Sequence, residues 1–171
     1  KRPNLWCADC EATILKNSAL FSTYQDTAYP QSETLSVDRS TMDYMITEIP
    51  RHTTVKELRG MLEFETTSSF RVVNAENNNV ASGSAVATGY IIPKADYTDQ
   101  YAYMLVVKGD VTGDGLVTVM DVQAVTKIIA RKSGGIPPTY KELKIADINN
   151  DGDVTILDVQ AITKMIAQDA A

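Results

Sequence analysis

Two stretches near the C-terminus carry apolar residues at helical spacing. The residues that form the apolar face are Val122, Val125 and Ile129 in the first stretch and Val159, Ile162 and Ile166 in the second. A spacing of three to four residues places such side chains on one side of an α-helix. The pattern therefore predicts two amphipathic helices, beginning at Asp121 and Asp158, that pack against each other.

Between residues 34 and 108 the pattern is that of short strands. The segments rich in apolar and β-favouring residues are Thr41–Ile49, Phe70–Val73, Gly89–Ile92 and Tyr101–Val107. One helix is predicted after Thr54, which forms a capping-box pattern with Glu57, and a turn is predicted at residues 77–79. We expect a small α+β domain at 34–108 with a structural role, preceded at 1–33 by an extension or the tail of another domain.

The C-terminal part is internally duplicated. Gly109–Lys132 (repeat 1) and Ala146–Asp169 (repeat 2) are 37 residues apart, and 13 of their 24 aligned positions are identical. Between them, Gly134 and Gly135 break the chain, and Tyr140–Ile145 is predicted to form one or two helical turns. No Pro/Ser/Thr-rich linker precedes repeat 1, so we expect it to be held rigidly against the strand domain (residues 34–108).

Each repeat opens with an acidic loop of twelve positions: Asp110–Asp121 (loop 1) and Asp147–Asp158 (loop 2). Calcium takes six to eight oxygen ligands, and positions 1, 3, 5, 7, 9 and 12 can supply them, position 7 through its backbone carbonyl. Position 6 must turn sharply and is Gly115 or Gly152. The predicted ligands are Asp110, Thr112, Asp114, Leu116, Thr118 and Asp121 in loop 1, and Asp147, Asn149, Asp151, Asp153, Thr155 and Asp158 in loop 2.

The loops depart from the general EF-hand pattern in two ways. Position 12 is Asp instead of Glu, so the loop must lie closer to the ion. No helix is expected directly before either loop, since a strand leads into Asp110. An acidic turn with a helix N-cap would explain one loop alone, but two loops in register, each followed by the same helix, favour metal binding.

Composition and charge exclude several classes of function. The net charge is −6 and hydrophobic residues make up 44% of the chain. Residues 109–171 hold six Lys/Arg and nine Asp/Glu, a net charge of −3, and residues 1–108 also carry −3. Neither part therefore offers a basic surface to nucleic acid or to an anionic membrane. No apolar run approaches the length of a membrane span. The first residue is Lys1, without a signal-peptide pattern, and we expect a fragment of a longer protein.

Two cysteines, Cys7 and Cys10, form a CxxC pair. Half a zinc site would need further ligands, and the one histidine is His52. A redox centre would need a βαβ setting that the pattern does not predict. A structural disulfide or two inert thiols remain the simplest interpretations.

The duplicated loops resemble a type I dockerin over Gly109–Gln168, because loop length, glycine, terminal Asp, helix and duplication all agree. The strand domain resembles, less closely, the X modules that often precede dockerins. The expected fold is therefore an α+β, strand-rich N-terminal domain followed at 109–171 by an all-α dockerin with two F-hand calcium loop–helix repeats and two bound Ca²⁺.

The resemblance also implies a function. Dockerins bind cohesins and attach their parent proteins to scaffolds of the cellulosome type outside the cell, so the chain is expected to be secreted. In the family, loop positions 10 and 11 and the outer helix face contact cohesin. The implied contact residues are Val119, Met120, Thr126, Lys127 and Arg131 in repeat 1, and Ile156, Leu157, Thr163, Lys164 and Gln168 in repeat 2.

Both pairs at positions 10 and 11 are apolar, which implies an apolar cohesin surface unless these side chains pack inside. Because the two repeats present nearly the same face, we expect cohesin to bind in two modes. An alternative is a calcium sensor that binds a target peptide, but sensors have paired helices around each loop and Glu at position 12. No catalytic grouping stands out, so we expect a non-enzymatic fragment whose parent protein acts on polysaccharide.

Overall fold

The computed structural model describes residues 30–40, 44–63, 70–93 and 102–170. The predicted extension at 1–33, apart from its last four residues, lies outside this range, as do Cys7 and Cys10. The elements in chain order are strands β1 (Ser36–Asp38) and β2 (Met45–Ile49), helix α1 (Val55–Met61), strands β3 (Ile91–Ile92) and β4 (Tyr103–Val107), and helices α2 (Val119–Ser133), α3 (Tyr140–Ala146) and α4 (Ile156–Asp169).

The four strands form one sheet in the order β1-β2-β4-β3. β2 pairs parallel with β4, while β1 and β3 pair antiparallel with β2 and β4. The central strands carry continuous apolar runs, and Ile46, Tyr103 and Leu105 are fully buried in a core that the sheet shares with α1. The strand-rich N-terminal part followed by a helical part is confirmed.

The predicted helix start at Thr54 is confirmed. The Thr54 hydroxyl accepts from the Glu57 amide at 3.3 Å, and the Glu57 carboxylate accepts from the Thr54 amide at 2.8 Å. These reciprocal bonds satisfy two of the free N–H groups at the helix start. Val55 and Leu58 point from this helix into the core, as their spacing predicts.

The strand predictions need correction in their extent. Phe70–Val73 is not a strand: only Val73 pairs, in isolated bridges with Asn79 and Ile91. Gly89–Ile92 shortens to β3 because Gly89 has φ +90°, which breaks the extended backbone. The described strand residues of Thr41–Ile49 begin at Met45, and those of Tyr101–Val107 begin at Tyr103. The turn predicted at 77–79 lies earlier: the Asn77 amide donates to the Asn74 carbonyl at 2.9 Å, Asn77 has φ +62°, and Asn79 already pairs with Val73.

The two long helices begin earlier than predicted, at Val119 and Ile156 instead of Asp121 and Asp158. The reason is that Thr118 and Thr155 act as N-caps, each paired with the Asp three residues later. A fourth capping box, between Thr139 and Glu142, begins α3. α3 ends at Ala146 and runs directly into loop 2, so the expectation that no helix precedes either loop is wrong for loop 2.

A second core lies between α2 and α4. Val125, Ile128, Val154 and Ile162 are buried there together with Ile148. Val122, Ile129, Val159 and Ile166, which share the predicted apolar faces, pack against it partly buried. The pairing of the two helices is therefore confirmed, with Ile128 as a further core residue. In the described part of the chain, no helix has the length and apolarity needed to cross a membrane.

The two parts of the chain are joined by polar contacts as well as by the peptide bond. β4 ends at Val107, two residues before repeat 1 begins. Lys144 of α3 forms an ion pair with Asp38 at 2.9 Å, and Arg51 donates to the carbonyl of Met165 in α4 at 2.7 Å. Burial opposes the charge of Asp38, but bonds from Tyr140, Lys144 and Ser40 outweigh it and hold its pKa below the usual range. These contacts fix the strand domain against both α3 and α4.

Candidate metal centre and partner-binding surface

Loop 1 begins at Asp110, whose carboxylate lies fully buried at the end of β4. Its Oδ1 accepts from the Gly113 amide at 2.8 Å, and its Oδ2 accepts from the Gly115 amide at 3.1 Å. Oδ2 also accepts from the amide of Thr88, at 2.8 Å, which belongs to the strand domain. The first residue of the loop thus holds the loop closed and ties it to the sheet.

Asp121, at position 12, closes loop 1 from the first turn of α2. Its Oδ1 accepts from the amides of Val111 and Thr112, both at 2.9 Å, and from the Thr112 hydroxyl at 3.0 Å. Its Oδ2 accepts from the Thr118 amide at 2.8 Å. The shorter Asp reaches these groups because the helix begins two residues before it.

Loop 2 repeats this arrangement with fewer bonds. Asp158 accepts from the amides of Ile148 at 2.8 Å and Thr155 at 2.8 Å, and more distantly from Asn149 at 3.3 Å. Asp147 accepts from the Asp151 and Gly152 amides at 3.1 and 2.8 Å. The loops therefore share one fold, with the carboxylates at positions 1 and 12 gathered inward.

Left-handed backbone at positions 4 and 6 curls both loops. The φ angles are +81° and +83° at Gly113 and Gly115, and +59° and +91° at Asn150 and Gly152. Glycine and asparagine are the residues that adopt this region at least cost. Repeat 1 uses glycine at position 4 because a Cβ there would lie 2.7 Å from the Thr88 carbonyl oxygen.

Three loop carboxylates, on Asp110, Asp121 and Asp158, are fully buried. Within the described part of the chain, none of them forms an ion pair with a Lys, Arg or His side chain. Burial raises the pKa of the Asp110 carboxyl and the neighbouring Asp121 charge raises it further, against the amide bonds that lower it. Buried carboxylates of this kind are stable when a cation neutralises them.

The donor set fits calcium. Each loop offers carboxylate, hydroxyl or amide oxygens at positions 1, 3, 5, 9 and 12 and a backbone carbonyl at position 7, which are the oxygen ligands that Ca²⁺ prefers. Across residues 30–40, 44–63, 70–93 and 102–170 the carboxylates are engaged with backbone amides, and no three acidic, His or Cys side chains converge as a ready-made metal cluster. The assignment of six ligands in each loop, from Asp110 to Asp121 and from Asp147 to Asp158, stays a prediction.

Position 7 differs between the loops. Leu116 is exposed in loop 1, where its side chain is free to vary because the predicted ligand is its carbonyl. In loop 2 Asp153 forms a close ion pair with Lys132, which ends repeat 1, and this bond lowers the pKa of Asp153. Lys132 also donates to the Val154 carbonyl at 3.3 Å, so the end of one repeat contacts the loop of the other.

The apolar residues at positions 10 and 11 are exposed. The exposed fractions are 63% for Val119, 53% for Met120, 61% for Ile156 and 51% for Leu157. The alternative that they pack inside is therefore wrong. The start of α2 therefore exposes one pair of large apolar side chains and the start of α4 exposes another, and exposed apolar side chains in groups mark protein–protein contact.

The remaining predicted contact residues are all on the helix surface, but some of their side chains already bond to other residues of the chain. Thr126 and Thr163 are exposed, and their hydroxyls bond back to the carbonyls of Val122 and Val159. Lys127 and Lys164 are also exposed. Arg131 and Gln168, which are equivalent in the two repeats, already have partners: Arg131 binds Glu142 at 2.5 Å, and Gln168 accepts from Arg51 at 3.4 Å.

A groove of about 450 Å³ runs along the repeat 1 face. It is lined in part by Met120, Lys127 and Arg131, together with Ile128, Glu142 and Ile145. Three of the ten predicted contact residues therefore border a concave surface that carries both apolar and charged side chains. A protruding side chain of a partner would be buried on such a surface.

Comparison with protein families gives a match for the C-terminal part of the chain. Residues 108–167 match the family model for the dockerin type I domain. The match implies a cohesin-binding, calcium-dependent protein-interaction module, and it spans both loops and nearly all of α4. No curated protein and no solved structure matches the chain significantly. The expected X-module likeness of 34–108 has no support from these comparisons.

Sequence patterns do not predict the strand-domain residues that contact the loops and helices of the two repeats. Thr88, Glu48 and Arg51 lie 22 to 117 residues from their partners, and none belongs to a recognisable motif. Thr88 acts through its backbone amide, which no sequence pattern reports. For Glu48, a left-handed φ of +67° at the irregularity between β2 and β4 places its carboxylate at Asn150, and only the pairing of the strands shows this.

Proposed function

We propose that residues 109–171 bind one Ca²⁺ in each loop and use the helix pair so fixed to anchor the parent protein to a cohesin of an extracellular scaffold. The observation that supports this most directly is the exposure of two apolar pairs, Val119 and Met120 at the start of α2 and Ile156 and Leu157 at the start of α4, each at positions 10 and 11 of its loop. Calcium would act by holding positions 1 and 12 of each loop together, and with them the starts of α2 and α4.

Each ion would relieve repulsion between buried or neighbouring carboxylates in its loop. In loop 1 these are Asp110, Asp114 and Asp121, and in loop 2 Asp147, Asp151 and Asp158. The residues at positions 3 and 9 would complete the shell, Thr118 and Thr155 through a water. A ligand that binds only the folded state stabilises it by mass action, so the module would fold most fully with calcium.

The first test is titration of the full chain against a panel of cohesins, with calcium and with chelator. We expect binding to one cohesin class in calcium and a loss of at least about 100-fold in affinity with chelator, since each tenfold is about 1.4 kcal/mol. Equal affinity in both conditions would show that the loops do not control the docking surface.

Two near-equivalent binding faces would follow from the duplication. Val119, Met120 and Lys127 of repeat 1 match Ile156, Leu157 and Lys164 of repeat 2 in position and exposure. Rotation of the partner by half a turn would exchange the two sets. The faces differ at Arg131 and Gln168, whose partners are Glu142 and Arg51 respectively.

The two faces can be separated with matched variants. Met120→Asp with Lys127→Ala impairs the repeat 1 face, and Leu157→Asp with Lys164→Ala impairs the repeat 2 face. Each pair alone should leave affinity within about fivefold, while the combination should lower it at least about 100-fold. If one pair alone abolishes binding and the other has no effect, the module uses one face.

We further propose that these residues have no catalytic role and that the parent protein is a secreted, polysaccharide-degrading enzyme. The helix–loop–helix form of loop 2 would suit a calcium sensor, but β4 and not a helix precedes loop 1. A peptide-binding sensor would show a calcium-dependent apolar groove in the absence of cohesin, which binding of a fluorescent apolar dye would detect.

A further inference from the structure

Loop 1 and the strand domain contact each other through the calcium loop itself. The Thr88 amide donates to Asp110 Oδ2 at 2.8 Å in a buried setting, and Asp110 is position 1 of the loop. The Thr88 hydroxyl accepts from the Val107 amide at 2.9 Å, which fixes Thr88 on the last residue of β4. A strand-domain donor is thus rigidly placed on a predicted metal ligand.

The backbone of the loop is shaped for this contact. A Cβ on Gly113 would lie 2.7 Å from the Thr88 carbonyl oxygen, and one on Gly115 would lie 3.4 Å from the Ala87 side chain. Positions 4 and 6 of loop 1 therefore pack directly on residues 87 and 88. At loop 2, by contrast, nothing lies within 4 Å of a Cβ on Gly152, and Asn150 occupies position 4.

From this juxtaposition we propose that the strand domain completes the calcium site of loop 1, with Thr88 as a positioning residue for Asp110. The inference rests on the proposed calcium binding. Groups that hydrogen-bond to metal ligands orient them, and their loss typically lowers metal affinity about 10-fold to 100-fold. Because the bond joins two folding units, calcium in loop 1 would also stabilise the docking of the strand domain, by linkage.

The chain itself offers a matched substitution. Gly113→Asn gives loop 1 the residue that loop 2 carries at position 4, where Asn150 adopts φ +59°. The loop accepts asparagine there, so the damage comes from the collision with the Thr88 carbonyl. The reverse change, Asn150→Gly, is the control: it gives loop 2 the residue of loop 1 without a collision, and the one bond it removes, from Asn150 to Glu48, does not involve loop 1.

The two sites can be followed separately through the amide signals of Gly115 and Gly152 during titration of the full chain with Ca²⁺ alone. We expect Gly113→Asn to weaken the Gly115 transition at least about tenfold and to leave the Gly152 transition within about threefold. Asn150→Gly should leave the Gly115 transition unchanged. Equal loss at both sites, or no loss at either, would overturn the proposal.

Hydrogen exchange in the unmodified chain tests the same contact if the variant does not fold. Calcium should slow exchange of the Thr88 amide at least about tenfold. The Val86 amide, which donates to Thr53 within the strand domain at 2.8 Å, should change less than about twofold. If both amides respond equally, or Thr88 does not respond while both loops bind calcium, the role of Thr88 is contradicted and the proposed calcium binding stands. If neither loop binds calcium, the proposed function itself is contradicted.

Discussion

Loop 1 and loop 2 share a fold but have different surroundings. Asp110 at the start of loop 1 is fully buried and bonded to Thr88, whereas Asp147 at the start of loop 2 is only half-buried and bonds within its own loop. Loop 2 reaches the strand domain through a side chain, Asn150, which donates to Glu48 at 2.9 Å. A duplicated sequence therefore does not give duplicated sites, because neighbours outside the repeat decide burial and rigidity.

Removal of calcium tests this comparison most strongly. With chelator, we expect much of the helix content of 109–171 to be lost, because the buried carboxylates of both loops then repel without a cation. Protection of α4 should fall before protection of α2, since loop 1 keeps its bonds to the strand domain. Circular dichroism gives the first result and hydrogen exchange the second. Unchanged helix content in chelator would contradict the calcium-dependent fold.

Removal of the position 12 carboxylates compares the loops directly. Asp121→Ala leaves five donor groups without their acceptor, and Asp158→Ala leaves three. In calcium, we expect a loss of roughly 3 kcal/mol in the free energy of unfolding for Asp121→Ala, and about 1 kcal/mol less for Asp158→Ala. Denaturant unfolding measures both. A larger loss for Asp158→Ala would reverse the ranking of the loops.

Arg51 tests the contact that distinguishes the end of α4 from the end of α2. It donates to the Met165 carbonyl at 2.7 Å and pairs with Asp169 at 3.2 Å, near a helix C-terminus where a cation is favourable. Arg51→Ala should lower the free energy of unfolding by about 1 kcal/mol. Arg51→Lys, which keeps the charge without the two-pronged geometry, should recover about half of this loss. No loss in either variant would show that α4 holds its place by apolar packing.

The smallest expected effect concerns the ion pair between Arg131 and Glu142, which has no counterpart in repeat 2, where Gln168 takes the place of Arg131. The Arg131 bond is the main cause that lowers the pKa of Glu142 from 4.5 to about 2. A carboxyl whose pKa is lowered in the folded state stabilises that state above pH 4.5, and this stabilisation is lost as the pH falls toward 2. The pair is partly exposed, so Glu142→Gln should cost only about 0.5 kcal/mol at pH 7. Unfolding at several pH values should show this difference disappear between pH 4.5 and 2; a constant difference would mean that charge is not its source.

The repeated part could be predicted from sequence in most respects, and the strand domain much less. The matching apolar faces predict the pairing of α2 and α4, and the spacing of acidic residues predicts the two loops. The N-caps Thr118 and Thr155 begin each helix two residues before the predicted start. Phe70–Val73 has strand composition, but it is held by burial in the core of the strand domain, with bridges at Val73 alone. Contacts such as Arg51–Met165 depend on how distant segments meet, which residue patterns do not encode.

The direct passage from β4 into Asp110 has a geometric consequence. β4 lies between β2 and β3, so the chain enters repeat 1 from the interior of a sheet and not from a loose end. A partner seated on the α2–α4 pair would be held at one fixed angle to that sheet. The orientation of the strand domain relative to the partner would then be set once, when the chain folds, and would be the same in every complex.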